Sequence, residues 1–304
     1  MLDHETIRSF IKVAECQSFS RAAELLHKTT ATISYRIKTL EESIGTQLFI
    51  RTTRTVNLTP AGEYLLERCR QWHTWLDAMP GELRQINDGV EHQVNIVINN
   101  LLYDDAAVAG LLTHLHDKYP FTQFHISRQV YMGVWDALLN EDCHLAIGAA
   151  GNESLENSIK VLPLGKIEWV FAIAPTHPLA AAADPLNETQ LRPYAAINVE
   201  DTARHLAKRT AWLLSGQQEI KVPDLRTKLE CHLRGLGIGF LPRRLCQTYL
   251  ESGELVAKQL KYPRQSSPLS LAWSDARGGE AVRTLINLFQ TRDPLIAGLI
   301  GALD

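Results

Sequence analysis

Cysteine is scarce and unpatterned in this 304-residue chain. Cys16, Cys69, Cys143, Cys231 and Cys246 are odd in number, and no two stand at C-x-x-C spacing. That excludes a disulfide framework and argues against a zinc site; it fits reduced thiols acting as small buried hydrophobes. Long apolar runs are also missing. The best candidate, residues 294–303, is far too short to cross a bilayer. Asp3, His4 and Glu5 interrupt the start at once, so a signal-peptide pattern is absent and a cytoplasmic location is expected. No G-x-S-x-G, H-E-x-x-H or P-loop sequence occurs. The run Gly235-x-Gly237-x-Gly239 precedes a strand instead of following one, so it lacks the context of a dinucleotide fingerprint. Close approach of helix and strand backbones is the better account of it. His114 and His116, two apart on a helix, face different ways, and His73, His125, His144 and His232 lack neighbours at metal-ligand spacing. Neither metal nor cofactor is expected.

What is present is ordinary in bulk and uneven in detail. Hydrophobic residues make up 45% and charged residues 21%, the balance of a soluble globular protein with room for two or three domains. The net charge of −3 conceals a local excess: residues 20–58 carry six Lys and Arg against three Glu, while the rest of the chain is acidic. A small basic segment on an acidic body concentrates attraction to polyanions at one place.

That segment reads as two short helices, a tight turn and a hairpin. Asp3 is a good N-cap for a first helix to about Cys16, with Ile7, Phe10, Ile11 and Ala14 at helical spacing. Ser20 can cap a second helix whose Ala22, Ala23, Leu25 and Leu26 face the core. Thr29 caps a third, with Ile33, Ile37, Leu40 and Ile44 inward and Gly45 as its stop. Thr30, Thr32, Ser34, Tyr35 and Lys38 then point outward. Hydroxyls, a ring and a cation on one helix face can bond base edges and pack on thymine methyls in a major groove. A strand from Leu48 returns through Val56 to Leu58, with Arg51 suited to a phosphate and Arg54 at the tip suited to a minor groove.

Thr59 and Pro60 open a long helix. Leu65, Cys69, Trp72, Leu76, Met79, Leu83 and Ile86 follow at steps of four and three, a heptad seam that needs a partner. The same helix of a second subunit fits best; packing on the chain's own C-terminal domain is the alternative. Pro80-Gly81 should kink or divide this helix.

From about residue 92 strands and helices alternate: strands near 94–98, 121–128, 144–148, 168–174, 195–199, 238–241 and 269–273, with helices near 105–118, 133–140, 227–234 and 280–290. This predicts doubly wound α/β structure in two lobes with a cleft between them. Strand ends supply Asn99, Asn100, Arg128 and Gln129, then Asp201, Thr202 and Arg204, with Phe240 on a later strand. Such amides, hydroxyls and guanidinium groups suit a small ureide or carboxylate-bearing effector.

Phe10, Ala14, Ser18-Phe19, Ala22-Ala23, Ser34, Leu40-Glu41, Gly45, Leu48-Phe49, Arg51, Leu58-Thr59 and Ala61-Gly62 together resemble the DNA-binding domain of the LysR-type transcriptional regulators. His177-Pro178-Leu179-Ala180 and the 235–242 run resemble that family's periplasmic-binding-protein-like effector domain, so the likeness covers nearly the whole chain. The resemblance implies a winged helix-turn-helix over 1–60, a dimerising linker helix over 61–89, and an effector domain over 90–304. Lobe I would hold 90–161 and 268–304, and lobe II 162–267. It further implies double-stranded promoter DNA with dyad symmetry, RNA polymerase, and a homodimer or homotetramer as partners. Thr29-Thr30-Ala31 departs from the Ser-Gln-Pro that often opens the recognition helix, so base preference does not carry over. Asn95 to Tyr103, Met132 to Asp136 and Lys208 to Trp212 resemble most closely the subgroup that activates allantoin-utilisation genes, and a purine- or nucleoside-responsive regulator shares parts of this pattern. A metabolite-binding module without DNA function, or an enzyme, is the alternative class.

Overall fold

Asp3 opens the first helix: its carboxylate accepts the Thr6 N–H at 2.8 Å, capping α1 (His4–Cys16). The computed structural model describes residues 3–51, 55–209 and 211–303. The chain forms two compact units, 1–84 and 85–304. In the first, α1 is followed by α2 (Phe19–Leu25), α3 (Thr30–Ile44), a hairpin of β1 (Phe49–Arg51) and β2 (Val56–Leu58), and the start of α4 (Pro60–Asn87). Phe10, Val13, Ile33, Ile37, Leu40 and Phe49 form its buried centre, and small Ala22 and Ala23 let α2 approach closely.

Four local expectations change here. Ser18, not Ser20, caps α2, accepting the Arg21 N–H at 3.3 Å. Phe19 packs edge-on against Phe49 with ring centroids 5.8 Å apart, so it belongs inside the helix and the cap falls two residues before Ser20. Leu25 and Ile44 were expected on core faces, yet each is the last residue of its helix and lies exposed. Pro80 sits within α4 without dividing it. Proline removes one backbone donor, and the helix formers Leu76 to Met79 and Glu82 to Arg84 carry the helix through.

The second unit continues with β3 (Gln93–Asn99), α5 (Asp105–Lys118), β4 (Gln123–Gln129), α6 (Met132–Asn140), β5 (Leu145–Ala150) and β6 (Ile159–Ile167). After it come β7 (Trp169–Ile173), α7 (Glu188–Leu191), β8 (Ala196–Val199), β9 (Glu219–Val222), α8 (Leu225–Leu233), β10 (Phe240–Pro242), α9 (Arg243–Glu251) and β11 (Val256–Lys258). Finally β12 (Ser267–Ser274), α10 (Glu280–Gln290) and α11 (Ala297–Ile300) follow. Lobe I holds a five-stranded sheet ordered β4-β3-β5-β12-β6. Its β3 runs parallel to β4 and β5, and β12 antiparallel to β5 and β6. Lobe II is built on the antiparallel set β10-β7-β11 and the parallel pair β8-β9.

The lobe boundary expected at 161/162 moves, because β6 stays paired with β12 up to Ile167. Pro163 and Gly165 lie within β6 and hid it from sequence reading. β9, β11 and α9 were likewise not foreseen. The glycine run is a close approach as expected, but between strand segments: a Cβ on Gly237 would collide with the Ala195 carbonyl. Among the described residues no helix is long and apolar enough to cross a membrane.

Candidate functional site

Thr29 caps α3 through the Thr32 N–H, 3.2 Å from its Oγ1, and the Thr29 and Thr32 hydroxyls lie 2.8 Å apart. With Ile33, Ile37 and Leu40 buried, the opposite face is left to solvent. Thr30 and Lys38 are exposed there, Tyr35 is 71% exposed, and Thr32 and Ser34 are half-buried. Lys38 lies 3.7 Å from Glu42, both side chains being largely solvated. Ser20 is exposed on α2. Arg51 differs from expectation. It pairs with Glu41 at 3.0 Å, and its guanidinium sits 4.6 Å above the Phe19 ring. Glu41 also accepts the Leu48 and Phe49 N–H groups, at 2.8 and 3.2 Å. Arg51 thus braces the hairpin against α2 and α3, with part of its surface still open. Arg54 lies outside the described residues.

The heptad seam of α4 is split. Leu65 and Cys69 pack into the first unit's own core, so they are not free for a partner. Trp72, Leu83 and Ile86 are exposed at 40, 60 and 50%, joined by Trp75 at 50%, while Leu76 and Met79 are half-buried. The unpartnered stripe therefore begins at Trp72 and takes in Trp75, which the strict heptad passed over.

In the second unit several expected ligand groups prove to be structural. The Asp201 carboxylate accepts the N–H groups of Met132, Gly133, Ala203 and Arg209, at 3.2, 3.2, 2.9 and 2.7 Å. It supplies from lobe II the cap that α6 lacks in its own sequence. Thr202 Oγ1 accepts the Val130 N–H at 2.9 Å and donates to the Val130 carbonyl at 3.3 Å. It touches Gly133 so closely that no Cβ would fit there. Arg204 is exposed and lies 3.6 Å from Glu141. Phe240 is buried in lobe II against Phe171 and Trp212, with centroids 5.4 and 5.7 Å away, and does not line the cleft. Asn99 is spent on the Gly148 carbonyl and the Leu101 N–H. Asp136 of α6 accepts the N–H groups of Arg204 and His205. It lies with Glu141 and His205 in a cluster whose ligand atoms fall within 4.8 Å; those hydrogen bonds already account for its carboxylate as a clasp between lobes.

A narrow pocket of about 10 Å³, room for about one water molecule, remains between the lobes, lined by Asn100, Val130, Tyr131, Trp169, Val199 and Lys228 among others. Asn100 is the expected residue that reaches it with its side chain free of hydrogen bonds among the described residues; its N–H donates to the Gln129 carbonyl. Arg128 stands beside it in a wider groove, 3.5 Å from Asp224 and over the Tyr103 ring. Lys228 was not foreseen. It is 3% exposed and has no hydrogen-bond or ion-pair partner among the described residues. Burial, with the Arg264 guanidinium nearby, pushes its ammonium down to about 7. Arg264 stacks on Trp169 at 3.6 Å. His232, one turn beyond Lys228, has its Nδ1 donating to the Ala172 carbonyl at 2.7 Å, and its Nε2 unpaired. Burial and Lys228 hold it down to about 3. The signal was in the sequence: Leu225, Lys228, Leu229 and His232 keep the spacing of an apolar helix face, and two of the four are ionisable.

Residues 4–63 match the bacterial regulatory helix-turn-helix protein, lysR family, and residues 88–294 match the LysR substrate binding domain. The chain belongs to the LysR family of transcriptional regulators. It is 58% identical over 304 residues to the HTH-type transcriptional activator AllS of Salmonella typhimurium, covering 100% of this chain and 99% of that one. It is 61% identical over 257 residues to the AllS of Klebsiella pneumoniae, covering 84% and 95%. Among solved structures, a mutant of Corynebacterium glutamicum OxyR gives a TM-score of 0.55 at 19% identity, over 98% of this chain and 92% of that one. That likeness speaks for the fold. In this LysR-type activator, α1 to β2 lie in the region matched to the family's helix-turn-helix protein, and the two α/β lobes lie in the region matched to its substrate binding domain.

Proposed function

We propose that this regulator activates genes of allantoin and purine-ureide catabolism in the cytoplasm, as a homodimer or homotetramer that engages RNA polymerase and does no chemistry itself. One observation carries the DNA-reading part: α3 leaves Thr30, Tyr35 and Lys38 in solvent on one face, where hydroxyls, a ring and a cation can meet base edges and phosphates. The pathway rests on the full-length 58% identity to AllS activators. The Trp72–Ile86 stripe joins two chains, so two recognition helices address two related half-sites. An effector held between the lobes acts by its differential affinity for two arrangements of the lobes, and through them of the DNA contacts.

Footprinting on the promoter of an allantoin-utilisation operon tests this reading. Two protected half-sites of related sequence, spaced by whole helical turns, are expected, with transcription rising when the effector is added. Protection without sequence preference contradicts it.

A further inference from the structure

We infer that Ala31, Thr32 and Tyr35 of α3 select the operator through the C5 methyl groups of thymine, so that apolar contact, more than any bidentate hydrogen bond, decides which bases this helix accepts. The inference rests on the DNA-reading role proposed above and adds the base chemistry that is read. Bidentate readers are arginine or lysine for guanine and asparagine or glutamine for adenine, while carboxylates accept from cytosine. The first two turns of α3, residues 30–37, read Thr-Ala-Thr-Ile-Ser-Tyr-Arg-Ile. Arg36 is the one such group among them, and it is half-buried with its guanidinium on Glu5 of α1 at 2.8 Å. Lys38 follows as a point charge 3.7 Å from Glu42, suited to a phosphate. What these turns do offer is methyl and ring surface. Ala31 is exposed and brings only a methyl. The Thr32 hydroxyl lies 2.8 Å from that of Thr29, the residue that caps the helix through the Thr32 N–H. That oxygen is engaged in the cap, and the methyl is the part of Thr32 left for DNA. The Tyr35 ring is 71% exposed. Residues three and four apart on a helix are surface neighbours, with Cβ atoms about 5–6 Å apart, so Ala31 and Thr32 both border Tyr35 in one apolar patch. Base pairs rise by about 3.4 Å, and a patch of that length meets two in succession.

Gel retardation by the purified full-length protein tests the inference, using the promoter of an allantoin-utilisation operon, a scrambled fragment, and a promoter fragment in which deoxyuridine replaces every thymidine of the footprinted half-sites. Uracil lacks the C5 methyl and keeps the hydrogen-bonding groups of both groove edges, so a loss reports on methyl contact. Wild type is expected to bind the uracil fragment at least ten-fold more weakly than the thymine one. Ala31→Gly with Thr32→Ser keeps the capping hydroxyl and removes both methyls; it is expected to lose most of that difference, with a melting temperature close to wild type. Thr32→Val, which keeps the methyl and removes the hydroxyl, is expected to retain the difference. Wild type that binds thymine and uracil fragments alike, while still preferring both to the scrambled one, overturns the methyl inference and leaves the DNA-reading role in place. Equal binding to promoter and scrambled fragment overturns that role, and the inference with it.

Discussion

The Asp136 carboxylate of lobe I accepts the His205 N–H of lobe II at 2.8 Å. The adjacent Arg204 N–H and the Asn140 amide also donate to it, and the His205 Nδ1 lies 3.3 Å away. Burial pushes this carboxyl up, and the donors more than offset it, so that it is held down to about 2. Across the same junction Asp201 caps α6 and Thr202 grips Val130. The segment after β8 thus fastens the second lobe to the first at one end of the cleft.

Asp136→Ala removes the shared acceptor of the Arg204 and His205 N–H groups, so the effector domain is expected to lose about 1.5–3 kcal/mol. Thermal unfolding followed by circular dichroism measures it. The native carboxyl ionises more readily than the unfolded one, so its stabilisation, about 2 kcal/mol, is complete above about pH 4 and fades as pH falls toward 2. The variant's melting temperature should lack that part of the acid dependence.

Arg51 and Lys38 should separate cleanly. Arg51→Ala loses the Glu41 pair and the Phe19 stack, and is expected to lower the melting temperature of the DNA-binding domain as well as its promoter affinity. Lys38→Ala removes a side chain whose one ion pair among the described residues is the solvated contact with Glu42. It is expected to leave the melting temperature alone and to reduce the slope of log affinity against log salt by about 1.

The stripe on α4 gives a prediction about assembly. Leu83→Asp puts a charge where an apolar partner belongs and should weaken association by about 2 kcal/mol or more. Light scattering across a dilution series is expected to show dissociation at concentrations where wild type stays associated. Leu65→Asp should instead disturb folding of the first unit, since Leu65 packs into its core.

Much of this was legible in the residues. Asp3, Thr29 and Gly45 announce helix ends through side-chain and backbone chemistry that acts locally, and the helices they bound lie where expected. The helix of residues 105–118 lies where the alternation of strands and helices placed it. What escaped depends on residues far apart in sequence. β6 carries Pro163 and Gly165 and is held by its pairing to β12, about a hundred residues on. Asp201 and Thr202 look like free polar groups until α6 is seen to need a cap. Glu41 and Arg51 meet only once the hairpin folds back on α3. Lys228 was hidden for the opposite reason: its position obeys the helix pattern, and only its burial exposes the anomaly.

Fluorescence anisotropy of a labelled promoter fragment, against a scrambled fragment and over a range of salt, puts the α3 surface to the sharpest test. The comparison is wild type with Thr30→Ala and with Thr30, Tyr35 and Lys38 all changed to Ala. Wild type should prefer the promoter, the single variant should lose about 1–2 kcal/mol of that preference, and the triple variant should bind both fragments alike and weakly. A triple variant that still picks out the promoter with wild-type affinity would show that α3 is not what reads the DNA.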